Sequence, residues 1–212
     1  SDVADLNYDN QGLRAAMTAD MLHWIKNEKI DGFRCDVAGN VPLDYWQQAI
    51  PQLRKEKNIF MLAEAWEPEL LKEGLFDMAY GWEAHHTMNR IAQGKNTVKD
   101  WDKFMSENDI KYSSDDILMN FVDNHDENSW NGTIRGRLGK GEEAMTALSY
   151  VMPGMPLIYS GNEYGLNHSL KFFEKDSIPK TKGKDWELRA KLGKLKTENT
   201  ALNGGKNKAK YT

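Results

Sequence analysis

Three short apolar runs in this chain each end in a carboxylate. Residues 30–36 close on Arg34-Cys35-Asp36, residues 59–64 lead into Ala63-Glu64-Ala65-Trp66, and residues 116–123 lead into Asn124-His125-Asp126. The second run, Ile59-Phe60-Met61-Leu62-Ala63, is continuous rather than alternating, the pattern of a strand buried on both faces of a parallel sheet. Amphipathic stretches separate the runs; Met17, Met21, Trp24 and Ile25 recur at helical spacing across residues 14–28. Strands alternating with helices imply an α/β fold with right-handed crossovers, either doubly wound or a barrel. In both, ligands bind at the carboxyl ends of the strands, which is where these carboxylates fall.

The rest of the chain continues the alternation. A helix is expected from about residue 42, with Pro42 in its first turn, Asn40 as its cap, and Pro51 kinking or ending it. Residues 77–82 form a weaker strand candidate, followed by helix signals at 84–93 and 97–107. Gly141 opens a helix over 142–152, Pro153-Gly154-Met155-Pro156 turns the chain into a strand at Leu157-Ile158-Tyr159, and a last helix runs over 186–198.

Composition narrows the function classes. With 40% hydrophobic and 28% charged residues the chain has the profile of an ordinary globular protein. A net charge of −4 argues against a general nucleic-acid binder, and the scattered lysines after residue 171 read as solvated surface. No stretch approaches the ~20 apolar residues of a membrane-spanning helix, and Ser1-Asp2-Val3-Ala4-Asp5 is too polar for a secretory signal. A single cysteine, Cys35, allows no internal disulfide and is expected to pack under a helix.

A carboxylate at a strand end is often only a cap or turn former. Arg34 weakens that reading for Asp36, because residues two apart on a strand point the same way and the cation should keep Asp36 ionised. Glu64 has apolar and aromatic neighbours, which favour the raised proton affinity of a general acid. Two chemistries fit three carboxylates on one rim: glycoside hydrolysis by a nucleophile and an acid/base, and a carboxylate-bound Mg²⁺ site. Arg34 favours the first, since a fixed cation beside Asp36 competes with a metal. Trp66, Trp82 and Trp130 lie on or near the same rim and suit the apolar faces of sugars, while Trp24, Trp101 and Trp186 are read as core.

At these residues the chain resembles the α-amylase family, glycoside hydrolase family thirteen. Asp31-Gly32-Phe33-Arg34-Cys35-Asp36-Val37-Ala38 is similar to its nucleophile strand, and Ala63-Glu64-Ala65-Trp66 to its acid/base strand. Phe121-Val122-Asp123-Asn124-His125-Asp126 resembles its third carboxylate strand, and Pro153-Gly154-Met155-Pro156-Leu157-Ile158-Tyr159-Ser160-Gly161-Asn162-Glu163 its eighth strand. The resemblance implies strands four to eight of a (β/α)8 TIM barrel over residues 1–202, with 203–212 as a tail leading to a C-terminal β-domain.

It also implies a retaining glycosidase of α-glucans such as starch, maltodextrin or pullulan. Asp36 would be the nucleophile, Glu64 the acid/base and Asp126 the transition-state stabiliser, with Arg34, His125, Asn124 and Trp66 binding substrate. Val37-Ala38-Gly39-Asn40 lacks the Lys-His that typical α-amylases carry after the nucleophile, which leaves neopullulanase-like or maltogenic specificity open. No cofactor or metal site is expected in this chain; calcium belongs to parts of the family fold with no counterpart here. The Asp- and His-bearing strand-three motif also has no counterpart. A complete barrel takes about 250 residues, so the 212-residue chain alone is expected to be inactive and to cover its sheet edges, for instance by self-association. The alternatives are a non-catalytic sugar-binding or assembly relative on the same barrel, and the Mg²⁺ enzyme. Compartment is left open, with secreted or periplasmic settings implied only by the resemblance.

Overall fold

The computed structural model describes residues 4–205. Two compact units follow one another, the first ending at Tyr80 and the second beginning at Gly81. Ser1, Asp2, Val3 and residues 206–212, most of the expected tail, lie outside the described residues.

The first unit contains α1 (Gln11–Lys26), β1 (Gly32–Cys35), α2 (Leu43–Glu56), β2 (Phe60–Ala63) and β3 (Met78–Tyr80). Asn10 starts α1 by accepting from the N–H groups of Gly12 and Leu13. The three strands are parallel, with Arg34 opposite Leu62, Cys35 opposite Ala63, and Ala63 opposite Ala79. β1 and β2 close up at Gly32, where a Cβ would stand 1.9 Å from the Phe60 carbonyl oxygen, so only glycine fits. α2 buries Tyr45, Trp46, Ala49, Ile50 and Leu53 along one face. Trp46 meets Phe76 edge-on at 5.1 Å and donates its indole N–H to the Ala38 carbonyl.

Three local expectations change here. Asn40 does not cap α2: Ala38–Asn40 forms a 3₁₀ turn, and Pro42 itself takes the cap position. Pro51 does not end the helix, which continues to Glu56. Pro51 and Gln47 both lie on its exposed face, so the missing N–H is tolerated there while the buried side chains hold the turn. Trp24 is 53% exposed rather than core. The buried face of α1 runs through Arg14, Thr18 and Ile25, and Trp24 sits about 100° round from Ile25.

The second unit contains α3 (Trp82–Ala92), α4 (Val98–Lys111), β4 (Leu118–Asn120), α5 (Ile134–Leu138), α6 (Glu142–Val151), β5 (Met155–Pro156) and α7 (Lys184–Glu198). Thr97 and Asp100 make a reciprocal capping box at the start of α4. β4 and β5 are parallel, pairing Met119 with Met155 and Asn120 with Pro156. The strand expected at Leu157-Ile158-Tyr159 therefore lies earlier, and Leu157 only extends it by donating its N–H to the Asn120 carbonyl at 2.8 Å. Met88, Val122, Ile134 and Leu138 form one buried cluster, and Ala84, Phe104, Met105 and Met152 another, with Trp101 packed against both. Parallel strands alternating with helices make this a partial (β/α)8 barrel, the α/β class that the sequence predicts.

Candidate active site

The carboxyl ends of β1 and β2 bring Arg34, Asp36 and Glu64 together. Arg34 and Asp36 leave β1 on the same side, and the Arg34 guanidinium pairs with Asp36 through Nη1. Its Nη2 lies 2.8 Å from Glu64 Oε1, and its Nε donates to the Tyr80 hydroxyl at 3.1 Å. The backbone ladder fixes this pairing beyond the strands proper. Glu64 N–H donates to the Cys35 carbonyl at 3.0 Å, and Ala38 N–H donates to the Glu64 carbonyl at 3.1 Å.

Between these two contacts Val37 adopts φ 44°, a left-handed conformation that a β-branched residue rarely takes. The turn aims the Val37 N–H at Glu64 Oε2, 2.8 Å away. Both Glu64 oxygens are thus held, one by a guanidinium and one by a backbone amide.

The two carboxylates sit in contrasting surroundings. The Asp36 side chain is 77% exposed and that of Glu64 only 12%. Burial raises the pKa of Glu64 above the ordinary carboxylate range; the Val37 N–H and Arg34 oppose the rise, and the Asp36 charge adds to it. Burial works against the charge of Arg34, but hydrogen bonds to Tyr80 and Asp36 and the charge of Glu64 more than offset it. Trp66 follows Glu64 with about half its surface exposed. Cys35, on the opposite face of β1, is half-buried, and burial pushes its thiol up to about 12, so it supplies no thiolate at neutral pH.

The second unit presents His125 and Asp126 at the end of β4. Both are partly exposed, with His125 Nε2 3.4 Å from Asp126 Oδ2. Asn124, by contrast, is buried, and its Oδ1 accepts from the Glu127 N–H at 2.8 Å, shaping the turn from beneath. Below it lies a network that sequence reasoning missed. Asp123 is 1% exposed and pairs with Arg137 Nη2 at 2.8 Å while accepting from Asn162 at 3.2 Å. Glu127 pairs with His85 Nε2 at 3.0 Å and with Arg137 at 3.8 Å. His85 stacks on Phe121, and Arg137 also donates to the Val122 carbonyl. Burial raises the pKa of Asp123 despite Arg137; Glu127, also desolvated, is brought below its usual range by His85 and Arg137. The only signal in the sequence was the density of polar residues from Asp123 to Asn128, since the partners lie far along the chain.

An exposed carboxylate and a desolvated one sharing a fixed cation suit a nucleophile and a proton donor. Among the described residues no three His, Cys, Asp or Glu side chains are grouped to hold a metal ion. Nor is any described helix long and apolar enough to cross a membrane.

The model of the alpha amylase catalytic domain matches residues 1–201. The alpha-amylase MalA of Haloarcula japonica is 26% identical over 77% of this chain and 24% of its own length. The intracellular maltogenic amylase of Bacillus subtilis is 28% identical over 78% of this chain and 31% of its own length. Among solved structures, the noncanonic maltogenic alpha-amylase AmyB of Thermotoga neapolitana superimposes with a TM-score of 0.84, at 30% identity over 95% of this chain and 47% of that one. An alpha-amylase of Lactobacillus plantarum gives 0.82 at 26% identity, over 95% of this chain and 51% of that one. The chain thus spans about a quarter to a third of those curated relatives. With the motifs in order, the strands parallel and the family model matched almost end to end, the chain belongs to the alpha-amylase catalytic-domain family.

Proposed function

We propose that the protein carrying this chain is a retaining glycoside hydrolase of α-glucans. The observation that carries the reading is the grip of Arg34 on an exposed Asp36 and a desolvated Glu64. Asp36 attacks the anomeric carbon while Glu64 gives its proton to the departing glycosidic oxygen, leaving a glycosyl ester on Asp36. Glu64, now a carboxylate, takes a proton from water as that water attacks the same carbon, and Asp36 leaves as a free carboxylate. Arg34 orients Asp36 throughout. Asp126 and His125 bind hydroxyls of the reacting sugar, Asn124 shapes the turn that carries them, and Trp66 stacks on a neighbouring ring. The substrate class is supported by the names of the relatives, which include amylases, maltogenic amylases, a cyclomaltodextrinase and a cyclomaltodextrin glucanotransferase.

Residues 1–202 belong, in this reading, to the catalytic barrel, and 203–212 lead out of it toward a further β-domain. The 212-residue chain alone is inactive, because strands that complete the barrel are contributed from elsewhere. A 2-fluoro-glucosyl fluoride, which forms the ester but hydrolyses slowly, tests the mechanism on the full-length protein. Mass spectrometry is expected to find the label on Asp36, and Asp36→Ala to abolish both labelling and hydrolysis. Label on another residue, or turnover surviving in Asp36→Ala, would sink the assignment; glucan binding without any hydrolysis would point to the non-catalytic relative.

A further inference from the structure

Scattered exposed apolar side chains are ordinary on a protein surface; Val98 and Ile110, on α4, are 70% and 87% exposed. Trp130, Phe172 and Phe173 are different. They are 61%, 43% and 85% exposed, and they touch one another: Trp130 to Phe172 at 5.1 Å, Phe172 to Phe173 at 4.9 Å, Trp130 to Phe173 at 6.2 Å between ring centres. Phe172 also stacks against His125, with ring centres 6.1 Å apart and planes inclined by 26°. The aromatic surface is therefore continuous with the residue proposed to hold the reacting sugar.

The surface is built rather than incidental. Trp130 lies in a π-turn, Glu127–Asn131, and the phenylalanines in the loop after β5. Three side chains fasten that loop to the turn and to the residue that caps α5. Asn128 accepts from the Leu170 N–H at 2.7 Å and donates to the His168 carbonyl at 3.4 Å. Ser129 donates to the Leu170 carbonyl at 2.9 Å, and Thr133 donates to Asn167 at 2.9 Å. Holding three rings in place before a ligand arrives removes part of the ordering cost of binding. Beside the rings Lys171 pairs with Glu174 at 2.8 Å, and the His168 ring lies 3.6 Å from Asp176. Such a surface favours a neutral ligand with apolar faces and a polar periphery.

The geometry points to a glucan-binding subsite at Trp130, Phe172 and Phe173, on which pyranose rings of an α-glucan stack beyond His125. The inference rests on the proposed function for the identity of the sugar, and it adds a grip on chain length which the carboxylates do not supply. In the full-length protein, Phe173→Ala and Trp130→Ala are expected to raise KM for maltoheptaose about tenfold, the loss of one stacking contact. KM for maltotriose should rise far less, with kcat moving less than KM. Phe173→Tyr keeps the ring and should restore the affinity, and Ile110→Ala, on α4, serves as an exposed control.

Unchanged KM for maltoheptaose in both alanine variants, with native circular dichroism, would overturn the subsite and leave the hydrolase standing. So would a change of oligomeric mass in Phe173→Ala without a change in KM, which would give the surface to a second copy of the chain. Calorimetry on Asp36→Ala separates the two readings. Maltoheptaose that binds there, and binds about tenfold more weakly once Phe173→Ala is added, supports the subsite whatever the fate of the nucleophile.

Discussion

Arg34 Nη2 stands 2.8 Å from Glu64 Oε1, while the same guanidinium pairs with Asp36. A planar fork can serve two carboxylates at once; an ammonium cannot do so in the same geometry. Arg34→Lys is therefore expected to lower kcat/KM for α-glucans by on the order of a hundredfold, and Arg34→Ala by more. Steady-state kinetics on the full-length protein check this. Near-native turnover in Arg34→Ala would show that the pairing is structural decoration.

The burial of Glu64 makes a prediction about pH. Its pKa is raised, so the proton it must donate stays on to higher pH than for an ordinary glutamate near ~4.3. The alkaline limb of the pH–rate profile should shift further upward in Arg34→Ala, which removes an opposing charge. It should shift downward in Asp36→Asn, measured with a substrate whose residual turnover is detectable. The linkage to stability has a definite sign. A raised folded-state pKa means that the folded chain holds the proton more tightly, so this contribution is full below the unfolded value and is lost as pH rises through the folded one. The melting temperature of Glu64→Gln relative to the parent should accordingly improve from acid to neutral pH, and an unchanged difference would refute it.

The buried pair of Asp123 and Arg137 carries a third prediction. Arg137→Ala leaves Asp123 desolvated and uncompensated, a loss of about 3–5 kcal/mol. Removing both partners in an Asp123→Ala/Arg137→Ala variant should cost less than the two single changes summed. Denaturant unfolding of all three variants gives the comparison; strict additivity would mean that the pair is not coupled.

Gly32 supplies a fourth. A methyl group there would collide with the Phe60 carbonyl at 1.9 Å, and that oxygen belongs to backbone that cannot rotate away. Gly32→Ala should force β1 from β2 and destabilise the fold by more than about 4 kcal/mol. Soluble, normally melting protein would show that the strands can separate locally at no such cost.

How far the sequence reached depends on the range of the interaction. Arg34 and Asp36 are two residues apart on one strand, so their pairing was legible from the strand period alone. Glu64 could be placed at a strand end, but its amide donor depends on the strained turn at Val37, which no propensity announces. The buried set of His85, Asp123, Glu127 and Arg137 joins residues from three different segments, and periodicity carries no information on such partners. The short helix α5 contains Gly136 and spans little more than a turn, too brief for a hydrophobic repeat to show. Trp24 misled because it shares the helical apolar spacing of Met17, Met21 and Ile25, whereas the buried helix face is set by Arg14, Thr18 and Ile25. Phe172 and Phe173 sit in a loop without a motif, and their meeting with Trp130 is visible only once Asn128 and Ser129 fasten the two segments.

The contacts of Arg34 come from three neighbouring parallel strands: Asp36 follows β1, Glu64 follows β2, and Tyr80 ends β3. Because side chains alternate faces along a strand, a slip of one residue in either pairing would turn a partner away from the guanidinium. In the proposed hydrolase, catalytic competence then works as a checksum on strand alignment, in which a misthreaded sheet yields a silent molecule rather than a sluggish or indiscriminate one.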